Sequence, residues 1–275
     1  MTEEAALLAE PSAVVLDSAE AVARLAAELV AAAVRDAVAD RGRADIATTG
    51  GSTAPVLYRR LCSEPLASTI PWERLHLWWG DDRFVSRTDP DSNVRPADEI
   101  LAGRIAPANL HPFPVEVALA AGRGTTWCAD RYSEQLAVEL PLDPRGMPVF
   151  DLVLLGVGAD GHCLSVFPSD ATPAPERPGI GATPPLVGGR PVPTIAIAVP
   201  APTHIGPHLP RVTLTLPVLD AARALVVMAT GGAKAGVLAE VFGPIRDDSR
   251  WPAQRARRAG AVWILDEAAA AHLAH

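Results

Sequence analysis

No run of apolar residues in this sequence approaches the ~18 that a membrane-spanning helix requires, so neither a span nor a membrane partner is expected. The N-terminal residues, with Glu3, Glu4 and Glu10, lack the basic start of a signal peptide, and a cytoplasmic location is the expectation. Basic charge is scarce: 24 Lys and Arg against 32 Asp and Glu leave a formal net charge of −8. That balance argues against a nucleic-acid partner, which needs a basic face, and means that a bound phosphate has to be met by a few local cations. Cysteine is scarce too. Cys62, Cys128 and Cys163 are odd in number and widely spaced, which gives neither a disulfide framework nor a C-x-x-C metal pattern, so the thiols are expected to be reduced. His76, His111, His204, His208, His272 and His275 have no metal-ligand spacing, which assigns them structural or solvated roles; no metal and no cofactor is expected. There is no internal repeat.

What the chain does have is length and apolar content. At 275 residues and 49% hydrophobic it can bury a substantial core, as one α/β domain spanning residues 1–275. The organising stretch is Phe150 to Pro168. Phe150 to Leu155 is a short, largely apolar run, which favours a buried strand of a parallel sheet. Gly156, Gly158 and Gly161 then form a loop at its carboxyl end, the edge where open α/β sheets hold ligands. Asp160 and His162 sit in this loop, two residues apart, as a carboxylate beside an imidazole in the manner of a general-base site. The bland alternative is a tight strand-to-helix turn with an incidental histidine. The same glycines spell G-x-G-x-x-G, yet a dinucleotide site needs a following helix and an acid about 20 residues on. Pro168 stops any helix within two turns, and Glu176 lies in the proline-rich run Pro173 to Pro178, so this reading is rejected.

Other strands end in comparable loops. Ala13 to Leu16 reads as a first strand, and Asp17 with Glu20 starts a long helix that runs to about Asp40 and is closed by Gly42. A second strand, Ala44 to Thr48, runs into Thr49, Gly50, Gly51, Ser52 and Thr53, with a helix from Pro55 to Leu61 beyond. Such a turn aims backbone N–H groups and hydroxyls at an anion near a helix start, although two-glycine turns also exist only to make the turn. Leu75 to Trp79 is a third strand, ending in Gly80, Asp81, Asp82 and Arg83. Asn93 follows in a polar stretch, as a ligand contact or a turn residue, before a helix from Pro96 to Leu101. A helix from Thr125 to Leu140 precedes the central strand.

After Pro168 the chain is rich in Pro and Gly as far as Pro193, which reads as an irregular flap near the site in preference to a linker. Strands follow at Thr194 to Val199, Val212 to Leu216 and Ala224 to Thr230. The last of these ends in Gly231, Gly232, Ala233 and Lys234 at the start of a helix to Phe242, with Lys234 placed like a phosphate-binding lysine. The Walker pattern is not met, since Ala235 follows the lysine. Ala261 to Leu265 is the final strand. The fold expected is α/β: an open, mostly parallel, doubly wound sheet flanked by helices.

Taken together, Gly50-Gly51-Ser52-Thr53, Gly80-Asp81-Asp82-Arg83, Asp91-Ser92-Asn93, the Phe150 to Pro168 run, Arg211 to Thr215, and Thr230-Gly231 with Lys234 resemble the 6-phosphogluconolactonase family, within the wider group that includes glucosamine-6-phosphate deaminase. Asp82 replaces the family's usual glutamate, Cys163 and Leu164 its Thr-Ala, Val166 its leucine, and Ala54 a usual proline. The resemblance implies a deaminase-like α/β architecture and hydrolysis of a sugar-phosphate lactone in the oxidative pentose phosphate pathway. By the same resemblance His162 is the general base, and Arg83 and Lys234 hold the phosphate with the Gly50-Gly51-Ser52-Thr53 loop. Asp160 would orient His162, and Asn93 joins the substrate contacts. A δ-lactone is an activated ester, so one base and a few N–H groups suffice for its hydrolysis. The partner expected is a small sugar phosphate, and the assembly a monomer or small homo-oligomer.

Two rivals remain open from sequence. An amino-sugar phosphate deaminase calls for further carboxylates around the histidine loop, and Ser165, Val166 and Phe167 supply none. A non-catalytic sugar-phosphate sensor would keep the loops, but such modules usually carry a DNA-binding domain, and only one strand and one helix precede Ala44.

Overall fold

A computed structural model describes residues 12–51, 53–169, 186–187, 190–191 and 193–273. Its strands, in chain order, are β1 (Ser12–Leu16), β2 (Ala44–Thr48), β3 (Leu75–Trp79), β4 (Asp81–Arg83), β5 (Leu110–His111), β6 (Leu152–Gly156), β7 (Leu186–Val187), β8 (Arg190–Pro191), β9 (Ala196–Val199), β10 (Arg211–Leu214), β11 (Leu225–Ala229) and β12 (Ala261–Asp266). Seven of them form a parallel sheet in the order β1-β12-β11-β6-β2-β3-β5. Its central strands are buried along their length, as the apolar runs require when helices cover both faces.

From β2 the chain moves outward through β3 to β5; it then returns to β6 on the other side of β2 and proceeds outward through β11 to β12. The direction of winding therefore reverses between β2 and β6. A crevice opens at such a reversal, beyond the carboxyl ends of the two strands. The loops Thr49–Gly51 and Val157–Pro168 both leave from that point.

The Ala19–Arg41 helix packs on β2 and β12. Val22, Ala26, Val30, Val34 and Ala37 recur on its buried face at helical spacing, and each buried valine contributes ~1.5–3 kcal/mol relative to exposure. Its N-cap is Ser18, one residue beyond the expected Asp17, because the Ser18 hydroxyl accepts the Ala21 N–H at 3.3 Å. Gly42, in the left-handed region at φ 79°, closes the helix as expected.

The strands anticipated at Thr194 to Val199 and Val212 to Leu216 are present but lie outside the main sheet. As β9 and β10 they form a separate antiparallel sheet with β4, in the order β4-β10-β9. Asp81 to Arg83, read as a loop, is itself the strand β4. The chain steps from one sheet to the other at Gly80, whose N–H donates to Thr48 O at 2.9 Å and whose carbonyl accepts from Leu214 N at 2.8 Å. The Pro/Gly-rich flap lies outside the described residues, apart from Pro168, Ser169, the β7/β8 pair and Pro193. Among the described residues no helix is long and apolar enough to cross a membrane.

Candidate active site

At the winding reversal lies a pocket of about 210 Å³. Four neighbouring strands deliver its walls: Thr49, Gly50, Gly51 and Thr53 after β2; Asp81 and Arg83 after β3; Gly156, Gly158 and His162 after β6; Lys234 after β11. Arg211 of β10 and Asn93 complete it. Ser52 lies outside the described residues.

The β6 loop is shaped around a carboxylate–imidazole pair. His162 Nδ1 lies 2.5 Å from Asp160 Oδ1, which also accepts the His162 backbone N–H at 3.2 Å. Gly158 makes this approach possible. A Cβ there would stand 2.0 Å from His162 Nδ1 and 2.4 Å from Asp160 Oδ1. The loop is closed by Gly158 N–H donating to His162 O at 2.8 Å and Gly161 N–H donating to Gly158 O at 3.1 Å. Burial alone would push the Asp160 carboxyl up, but the hydrogen bonds and charge of His162, with a hydrogen bond from His204, hold it well below the usual carboxylate range. An ionised carboxylate only accepts, so the His162 nitrogen facing it carries the hydrogen, and Nε2 is left as the basic atom.

Beyond His162 the loop is fastened to the second sheet. Ser165 Oγ donates to Asp81 Oδ2 at 2.5 Å, and Ser165 N–H donates to Thr213 Oγ1 at 3.0 Å. Leu164, between them, holds a left-handed φ of 56°, a conformation that a branched residue keeps only where its surroundings fix it. Cys163 faces the core; burial pushes its thiol far above the ordinary range.

The same pocket is lined by three cations. Arg83 Nη1 donates to Asp91 O at 2.7 Å, and Arg211 Nη2 to Pro207 O at 3.2 Å. The buried Nε of each has no hydrogen-bond partner among the described residues. Arg211 is only 3% exposed; burial first, and the charge of Arg83 second, lower its pKa. Burial also lowers the pKa of Lys234, against the opposing pull of Asp160. One buried and two half-buried cations lining a single pocket, both arginines with an unpartnered Nε, suit a dianionic group.

Asn93 and Asp82 brace this wall. The Asn93 amide donates to Asp81 O at 2.9 Å, and its Oδ1 lies where a Cβ on Gly50 would come, at 2.0 Å. Asp82 Oδ1 accepts the backbone N–H of Asn93 at 2.7 Å and of Arg83 at 2.8 Å. Burial nevertheless raises the Asp82 carboxyl to about 7. Lys234 follows a turn held by Asp266, whose carboxylate oxygens both accept Gly231 N–H at 3.0 Å.

The sequence-derived residues His162, Asp160, Gly50, Gly51, Thr53, Arg83, Asn93 and Lys234 thus converge on one crevice, Asp160 sitting directly behind His162. Two others had no individual signal. Arg211 entered only as part of a matching segment. His204, grouped with the structural or solvated histidines, instead places Nε2 2.8 Å from Asp160 Oδ2. Nothing in its spacing from Asp160 announces that contact.

A family model described as glucosamine-6-phosphate isomerases/6-phosphogluconolactonase matches residues 17–264, and the chain belongs to that family. Within it, the chain is 35% identical over 271 residues to a 6-phosphogluconolactonase of Streptomyces coelicolor, covering 96% of this chain and 95% of the relative. It is 34% identical over 246 residues to a 6-phosphogluconolactonase of Synechocystis, covering 87% and 89%. Among solved structures, the 6-phosphogluconolactonase of Trypanosoma brucei superimposes with a TM-score of 0.78 at 26% identity, covering 96% of this chain and 99% of that one.

Proposed function

We propose that the crevice hydrolyses 6-phospho-D-glucono-1,5-lactone to 6-phosphogluconate, the lactone-opening step of the oxidative pentose phosphate pathway. The observation that carries this reading is His162: its Nδ1 is tied to an ionised Asp160, while the ring lines a pocket also lined by Arg83, Arg211 and Lys234. The family membership and the names of the relatives support the same substrate.

In this reading the three cations and the Thr49–Thr53 turn hold the phosphate, which leaves the lactone ring toward His162. His162 Nε2 takes a proton from water as its oxygen adds to the carbonyl carbon. Backbone N–H groups of the Gly156–Gly161 loop, other than those of Gly158 and Gly161, receive the oxyanion. The C–O bond to the ring oxygen then breaks, and the imidazolium returns its proton to the departing alkoxide, giving the hydroxyl and a carboxylic acid, which releases water's second proton to solvent to become the carboxylate of the product. Asp160 stabilises the imidazolium between those two transfers.

The test is a coupled assay with freshly generated 6-phosphogluconolactone, with spontaneous opening subtracted. Enzyme-dependent production of 6-phosphogluconate is expected. Ammonia release from an amino-sugar phosphate without lactone turnover would establish the deaminase instead, and binding without turnover of either would establish a sensor.

A further inference from the structure

Asp160 is shared by two histidines from different parts of the chain. Oδ1 faces His162 Nδ1 at 2.5 Å, and Oδ2 faces His204 Nε2 at 2.8 Å. His204 belongs to the segment joining β9 to β10, and its neighbour Ile205 lines the pocket. Phe167 spans the pair, its ring centroid 4.8 Å from that of His162 and 5.4 Å from that of His204. The His204 side chain is 25% exposed, so water and protons reach it.

We propose that His204 is a positioning residue: it holds the second oxygen of Asp160, which keeps the first on His162 Nδ1 and Nε2 as the basic atom, and its own protonation weakens that base. The proposal rests on the reading of His162 as the general base. A carboxylate tethered at one oxygen can turn about its side-chain bond, while one held at both oxygens is fixed in plane. The N–H of His204 supplies that second tether.

The charge effect follows from the same contact. Neutral His204 leaves the full negative charge of Asp160 facing the imidazolium that forms at His162. Protonated His204 competes for that charge through the carboxylate the two rings share. The other groups facing this cluster are Arg211 of β10, Lys234 after β11, whose charge also acts on Asp160, and Asp81 of β4, which acts on Arg211. His208, on the same segment as His204, directs Nδ1 to Pro202 O at 2.7 Å and not to Asp160. Arg211 stays cationic and Asp160 anionic through the neutral range.

Histidine side-chain ¹⁵N NMR on the full chain, beside steady-state kinetics, tests this. Wild-type His162 should be the Nδ1–H tautomer. His204→Ala should give mixed tautomers and lower kcat by about 3- to 10-fold, the scale of one hydrogen bond, at unchanged KM. His204→Gln, which returns an N–H without a titrating charge, should restore the tautomer and recover part of kcat. It should also raise the His162 titration midpoint by about half a pH unit, whereas His208→Gln leaves the midpoint in place. An unchanged tautomer and midpoint in both His204 variants, or a loss confined to KM, would overturn the proposal. Should the alanine variant fail to fold, the midpoint in the glutamine variant decides. If tautomer and midpoint respond while no variant or wild type opens the lactone, the coupling stands and the lactonase reading fails.

Discussion

Arg83 and Arg211 stand directly opposite one another across the antiparallel β4/β10 pair, and both line the pocket. Like charges at facing positions destabilise a sheet, more so when one is almost wholly buried. In the proposed function the substrate phosphate lies between them and offsets that repulsion. Replacing either by Met, which keeps the apolar stem, should raise KM by about 10- to 100-fold, the scale of one or two charge-assisted hydrogen bonds, with kcat within about 3-fold. Steady-state kinetics decides: a fall in kcat at unchanged KM would move these residues to the reacting end.

Gly158 tests whether the dyad geometry matters. The three atoms nearest a methyl there all belong to the side chains of His162 and Asp160, so the chain can fold by pushing those two side chains apart. Gly158→Ala should keep a native circular-dichroism spectrum and lose about 10²-fold in kcat, a loss typical of a displaced catalytic group. Wild-type turnover in this variant would mean that the 2.5 Å contact is dispensable.

Cys163 adjoins the base in sequence but faces the core. Its 1% exposure and a thiol pushed far above neutral pH leave no nucleophilic thiolate. Cys163→Thr should therefore stay within about 3-fold of wild-type kcat, the threshold that separates a packing change from loss of a covalent nucleophile. A trapped acyl-thioester by mass spectrometry would overturn the water mechanism.

Asp82 has a folded-state pKa raised from the ordinary 3.8 to about 7, first by burial. Between those values the folded protein keeps a proton that the unfolded chain gives up, so this group's contribution to stability is fully present below 3.8 and is lost as pH rises through about 7. Asp82→Asn retains an oxygen for the Asn93 and Arg83 N–H groups without the charge. Urea denaturation should find it more stable than wild type by roughly 1–4 kcal/mol at pH 8, with the difference shrinking toward pH 5. A constant difference across that range would show that Asp82 does not titrate there.

Much of the scaffold is legible in the residues. β2 and β3 lie where their apolar runs end in glycine, and Gly42 stops the first long helix because the left-handed cap favours a residue without Cβ. Asp81 to Arg83 could not be read as a strand, since charged residues disfavour strands and only pairing with β10, where Thr213 lies opposite Asp81 from 132 residues further along the chain, makes it one. The central motif announced His162 and Asp160 because they are two residues apart. Arg211 and His204 are brought in by the second sheet and its connecting segment, and a contact of that range leaves no local pattern.

The most direct measurement is kcat of His162→Asn, corrected for spontaneous lactone opening. Asparagine keeps polarity and approximate size but accepts no proton at neutral pH. The reading of His162 as general base predicts a folded variant with kcat lower by ~10²- to 10⁴-fold and KM within about 3-fold of wild type. Wild-type turnover by folded His162→Asn would contradict it and place the base elsewhere.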